Sequence, residues 1–126
     1  MSTVLVADDA SFMRLMIKQI LIRQGCSNVL EADNGFAAIE LYKEKRPDLT
    51  ILDITMPEVD GLQALTEILA YDASARVIMC SAVAQEVMVR EAMRLGALDF
   101  VVKPFRPDDL LKIARKYLPC AGGRGF

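Results

Sequence analysis

Leu49-Thr50-Ile51-Leu52-Asp53 decides the reading of this chain: four residues suited to a buried strand, closed by a carboxylate. Pro47-Asp48 precedes the run, and a loop from Ile54 to Gly61 containing Pro57 follows it, so the strand is bounded on both sides. The form recurs along the sequence. Val4-Leu5-Val6-Ala7 stops at Asp8-Asp9, Arg76-Val77-Ile78-Met79-Cys80 stops at Ser81, and Phe100-Val101-Val102 stops at Lys103-Pro104. Val29-Leu30-Glu31-Ala32 makes a fifth short strand.

Between these runs lie longer stretches of helical period. Residues 11 to about 24 place Phe12, Met16 and Ile20 on one face, with Gly25 where a helix C-cap belongs. Asn34 can cap a helix to about residue 45, with Ala38, Leu41 and Tyr42 in register. Residues 62–71 repeat Leu62, Leu65 and Leu69, residues 84–95 end at Gly96, and residues 107–118 close the pattern. Five strand–helix units with near-continuous apolar strands predict an α/β fold, a parallel sheet doubly wound with helices on both faces. Strand order is not visible in the pattern.

A length of 126 residues is enough for one domain, here 1–120, with 121–126 reading as a flexible glycine-rich tail. Hydrophobic residues make up 53% and charged residues 25%, a globular composition rather than a disordered one. No apolar run approaches the roughly 20 residues of a membrane span. The first five residues lack the basic region and long apolar stretch of a signal peptide, so the expected location is cytoplasmic. Fifteen basic against seventeen acidic residues, net −2, leave no electrostatic footprint for nucleic acid and no polybasic membrane signal. Cys26, Cys80 and Cys120 stand singly, without metal-ligand spacing, and the seven methionines read as flexible core filler. The absence of histidine removes His-based triads, His metal sites and imidazole bases.

Chemistry must therefore rest on the strand ends. In a parallel α/β sheet, ligands bind beyond the carboxyl ends of the strands. That edge would gather Asp8, Asp9, Asp53, Ser81 and Lys103. Three neighbouring carboxylates repel unless a cation or proton relieves them. An all-oxygen ligand set of this kind suits Mg²⁺, which takes few protein carboxylates and bridges phosphate oxygens. A lysine charge and a serine hydroxyl make the place complementary to a phosphoryl group, and a carboxylate can serve as nucleophile. The residues alone thus indicate a metal-assisted phosphoryl site with an aspartate nucleophile.

Asp8-Asp9, Asp53 with Met56-Pro57 and Asp60-Gly61, Ser81-Ala82, and Lys103-Pro104-Phe105 resemble, in order and spacing, the receiver domains of bacterial two-component response regulators. The resemblance spans about residues 3 to 118, and the lack of a trailing effector domain is similar to the single-domain, CheY-like chemotaxis regulators. It implies a flavodoxin-like (βα)5 sheet of strand order 2-1-3-4-5, the order associated with that fold. It implies that Asp53 accepts the phosphoryl group from a histidine kinase, that Asp9 ligates Mg²⁺ directly and Asp8 through water, and that Thr55 lends its backbone carbonyl. Ser81 would be the switch hydroxyl, small Ala82 would leave it room, and Lys103, before a cis Pro104, would pair with the phosphoryl group. Phe100 would be the aromatic switch residue, without the hydroxyl that a tyrosine there supplies. The output face would be the last two helices with strand five, carrying Val89, Met93 and Phe100 toward a partner such as a flagellar motor switch component. The unphosphorylated chain would be a monomer, bind no nucleic acid or membrane by itself, and catalyse only its own phosphorylation and dephosphorylation.

Two positions flank the expected path of the hydrolytic water: Thr55, two past Asp53, and Val83, two past Ser81. Apolar Val83 should orient that water poorly, so Val83→Glu should lose phosphate faster; an unchanged rate would refute this. Simpler roles stand beside each of these. Asp8-Asp9 could cap the first helix, Asp60-Gly61 could be only a turn, and Lys103 an ordinary surface lysine. Val89 and Met93 could extend a wide core stripe. The alternatives for the whole are a receiver domain excised from a DNA-binding regulator, a small Mg²⁺-dependent phosphatase, and a silent scaffold of the same fold. A flavin reading fails because Asp8-Asp9 would repel the phosphate.

Overall fold

Every apolar run becomes a strand and every amphipathic stretch a helix. The computed structural model describes residues 3–26, 28–82 and 85–118. Its elements alternate strictly: β1 (Thr3–Ala7), α1 (Ser11–Arg23), β2 (Asn28–Ala32), α2 (Gly35–Lys45), β3 (Leu49–Leu52), α3 (Gly61–Tyr71), β4 (Val77–Ser81), α4 (Glu86–Leu95), β5 (Asp99–Val102) and α5 (Pro107–Tyr117). The strands form one parallel sheet in the order β2-β1-β3-β4-β5, as the resemblance implies. Val83, Ala84, Cys120 and the tail 121–126 lie outside the described residues.

Side chains alternate across the sheet, and each face has its own core. Val4, Val6, Leu49, Ile51, Ile78, Cys80 and Val101 face α1 and α5. Leu5, Ala7, Leu52, Val77 and Met79 face α2, α3 and α4. A strand buried on both faces cannot show a polar–apolar alternation, which is why β1, β3 and β4 read as nearly continuous apolar runs, with Thr50 of β3 buried like its neighbours. The helices stop where the sequence offers stops. Asn34 accepts the Ala37 N–H as the cap of α2, and Gly96, at φ 116°, closes α4 in a left-handed conformation that a side chain would disfavour.

Two expectations need correction. Phe12 and Met16 do not share the inward face of α1 with Ile20: Phe12 is 70% exposed and Met16 is also exposed, while Met13, Ile17, Ile20 and Leu21 are buried. This helix is apolar around most of its circumference, so period alone does not select the stripe that meets the sheet. Nor are the methionines uniformly core: Met13, Met56 and Met79 are buried, whereas Met16 and Met93 face solvent.

The topology also locates a crevice. The chain runs from β1 outward to β2, then returns to place β3 on the other side of β1. The carboxyl ends of β1 and β3 therefore flank the point where the winding reverses, which is where open α/β sheets hold ligands.

Candidate functional site

The backbone ladder carries Asp8 and Asp53 to the same edge. β1 and β3 pair Ala7 with Leu52, and the Asp53 N–H continues the ladder by donating to the Ala7 carbonyl at 2.9 Å. One carboxylate oxygen each from Asp8, Asp9 and Asp53 lie within 4.8 Å of one another. Asp8 and Asp53 are buried, and Asp9 is exposed. On the other side, β4 and β5 pair Ser81 with Val102, and the Lys103 N–H donates to the Ser81 carbonyl at 2.9 Å. The Lys103–Pro104 peptide is cis, as the resemblance implies. Lys103 Nζ reaches back across the edge to Asp8 Oδ2 at 2.5 Å and to Asp53 Oδ2 at 3.5 Å. Ser81 is buried at the end of β4.

The electrostatics follow from this crowding. Burial, with the charges of Asp8 and Asp9 beside it, raises the pKa of Asp53 above its ordinary value, and Lys103 only partly offsets the rise. Burial also works against the charge of Lys103, but its hydrogen bond to Asp8 and the charges of Asp53 and Asp8 outweigh it and raise its pKa. Burial pushes the neighbouring Cys80 thiol up to about 12, so it is no thiolate at neutral pH. Hard oxygen donors in surplus over the one lysine charge fit a small divalent cation such as Mg²⁺.

The capping alternative for Asp8-Asp9 does not hold. The N-cap of α1 is Ala10, which has no side-chain cap bond; Asp8 instead accepts the Ala10 N–H at 2.9 Å and the Lys103 ammonium. Asp60-Gly61 is more than a turn. Asp60 and Gln63 form a reciprocal capping box at the start of α3, and a Cβ on Gly61 would sit 2.0 Å from the Asp53 carbonyl oxygen. Only glycine lets the helix start press against the Asp53 backbone.

Thr55 is exposed on the loop between β3 and α3. Phe100 packs partly buried against the core under α4, while Val89 is half-buried and Met93 exposed on α4. Sequence reasoning missed Val87 and Val102, both exposed apolar residues. Val102 stands two residues past Phe100 on an edge strand and hence on the same face, a signal that strand order would have supplied. It also missed Arg14, which the structure ties to the Asp8 backbone.

Fold and site together define a single doubly wound α/β domain whose strand ends gather three aspartates, two of them buried, against one lysine. The chain belongs to the response regulator receiver domain family, whose model matches residues 4–115. It is 55% identical over 115 residues to the chemotaxis protein CheY of Bacillus subtilis, covering 91% of this chain and 96% of that one. It is 48% identical over 113 residues to CheY of Thermotoga maritima, covering 90% and 94%. Among solved structures, a chain of the CheX–CheY–BeF3–Mg²⁺ complex from Borrelia burgdorferi superposes with a TM-score of 0.89 at 34% identity, over 93% of this chain and 90% of that one. This is therefore a CheY-like receiver domain, of the kind that serves two-component signalling. Among the described residues, no helix is long and apolar enough to cross a membrane.

Proposed function

We propose that this protein is a phosphorylation-activated response regulator that takes a phosphoryl group from a histidine kinase onto Asp53 and passes the signal to a protein partner in chemotaxis or flagellar motor control. The observation that carries this reading is the arrangement around Asp53: a buried carboxylate 3.5 Å from Lys103 Nζ, with Asp8 and Asp9 oxygens within 4.8 Å. Asp8, Asp9 and Asp53, with the Thr55 carbonyl, would hold Mg²⁺, which supplies charge neutralisation for the incoming phosphoryl oxygens. The similar Borrelia burgdorferi complex contains Mg²⁺ and BeF3, which supports a metal-dependent phosphoryl site on this fold.

Asp53 attacks the phosphorus through a carboxylate oxygen, the P–N bond to the donor histidine breaks, and its electron pair leaves on the imidazole nitrogen. Lys103 moves from a pairing with Asp8 and Asp53 toward the new phosphoryl oxygens. Ser81 donates its hydroxyl to one of them. The added charge, roughly −1.5 to −2 in ordinary phosphoproteins, shifts a pre-existing equilibrium in which Phe100 becomes more buried. The surface formed by α4, β5 and α5, with Val89, Met93 and Phe100, then meets the partner. Activity in this reading is limited to the protein's own phosphorylation and dephosphorylation, in the cytoplasm.

The test is phosphorylation by acetyl phosphate, read by intact mass. Wild type should gain one phosphoryl group that requires Mg²⁺ and is labile to hydroxylamine, and Asp53→Ala should gain none. Equal labelling of Asp53→Ala would overturn the assignment.

A further inference from the structure

Arg14 lies one turn into α1 with its side chain 16% exposed. Its Nη1 donates to the main-chain carbonyl of Asp8 at 2.7 Å, and its Nε donates to Glu31 Oε1 at 3.0 Å. One guanidinium thus ties α1, the edge strand β2 and the short loop that leaves β1. The carbonyl it holds belongs to the peptide unit joining Asp8 to Asp9. That unit is planar, so a donor anchored on its oxygen also fixes the direction in which the Asp9 nitrogen and Cα leave. Asp9 is the exposed member of the three carboxylates. α1 begins at Ser11, its N-cap Ala10 makes no side-chain cap bond, and Asp8 Oδ1 accepts the Ala10 N–H at 2.9 Å, so the side-chain bonds here hold Asp8 rather than Asp9.

From this geometry we infer that Arg14 is a positioning residue for the cation site, aiming Asp9 at Asp8 and Asp53 through the Asp8–Asp9 peptide. The inference rests on reading those three carboxylates as a Mg²⁺ site. Arginine is the residue that can do this, because its planar fork sends donors in two fixed directions and holds a carboxylate and a carbonyl together. Glu31 has a second effect: it neutralises a guanidinium that would otherwise repel a divalent cation nearby. Lys18 Nζ also approaches Glu31, at 3.6 Å from Oε2, but the Asp8 carbonyl is held by Arg14.

Calorimetric titration of Mg²⁺ into the metal-free protein separates positioning from charge, because the two give opposite signs. Arg14→Met removes a positive charge near the cation, so charge alone would tighten binding. Loss of positioning should instead raise Kd about tenfold, the low end for partners that orient metal ligands. Arg14→Lys, which keeps the charge and loses the fork, should also weaken binding, whereas Lys18→Met should stay within about twofold of wild type. Phosphorylation by acetyl phosphate should recover in Arg14→Met once Mg²⁺ is saturating, a rescue that a general loss of structure would not show. In the Asp9→Asn background, Arg14→Met should have no further effect on Kd, since the two act through one peptide. An unchanged or tighter Kd in Arg14→Met overturns the inference, as does a full additional loss in the double variant. Asp9→Asn alone separates the levels: an unchanged Kd there overturns the metal-site reading beneath.

Discussion

Asp53→Asn should make the metal-free protein more stable, although it removes the residue on which the proposed function depends. At an effective dielectric of about 20, an Asp8 oxygen no more than 4.8 Å away costs Asp53 at least about 3.5 kcal/mol, and Lys103 at 3.5 Å returns about 5 kcal/mol. Asp9 stands in solvent and adds a repulsion cut to about half of that from Asp8. The charge effects nearly cancel, so burial of a carboxylate that is 6% exposed decides the sign. Exchanging that buried charge for an amide of the same shape should stabilise the fold by about 1–3 kcal/mol at pH 7.5. The pH dependence has a definite direction. An acid whose folded pKa is raised destabilises the fold above that value, and the penalty vanishes as pH falls toward its ordinary 3.8. Urea unfolding in EDTA, followed by circular dichroism from pH 4.5 to 8, should show a gap that narrows on acidification. A variant no more stable than wild type at pH 7.5, or a gap that ignores pH, would refute the reasoning. Adding Mg²⁺ should favour wild type, each tenfold excess over its Kd contributing about 1.4 kcal/mol.

Other perturbations test the same structure from different sides. Lys103→Met leaves three carboxylates without their internal cation, so Mg²⁺ should bind more tightly, measured by calorimetry, while phosphorylation of Asp53 slows. Gly61→Ala gains about 1 kcal/mol of helix propensity but drives a Cβ to 2.0 Å from the Asp53 carbonyl oxygen, against main-chain atoms rather than a flexible side chain. The clash should win, with a net loss of about 2 kcal/mol in urea unfolding and loss of phosphorylation by intact mass. Thr50 Oγ1 is fully buried in β3 with no hydrogen-bond partner among the described residues, so Thr50→Val should stabilise by about 1 kcal/mol without altering phosphorylation.

The sequence alone determined the elements and the residues of the site. β1, β3 and β4 are buried on both faces, so their apolar runs are long enough to read without a partner, and each ends in a residue with no use in a core. Asp8, Asp9, Asp53 and Lys103 were therefore legible as a group, because a parallel sheet puts all strand ends at one edge. Their roles came from resemblance, since a string of residues carries no distances. Only the tertiary structure decided the rest. It chose Met13, Ile17 and Leu21 over Phe12 and Met16 as the buried stripe of α1, because a helix with apolar residues around most of its circumference offers more than one apolar face. It showed that Gly61 serves close approach to Asp53, and that Arg14 reaches the Asp8 carbonyl. Both are contacts to backbone atoms, which every residue carries alike, so the sequence could mark Asp60-Gly61 as a motif without showing what Gly61 approaches, and it did not mark Arg14.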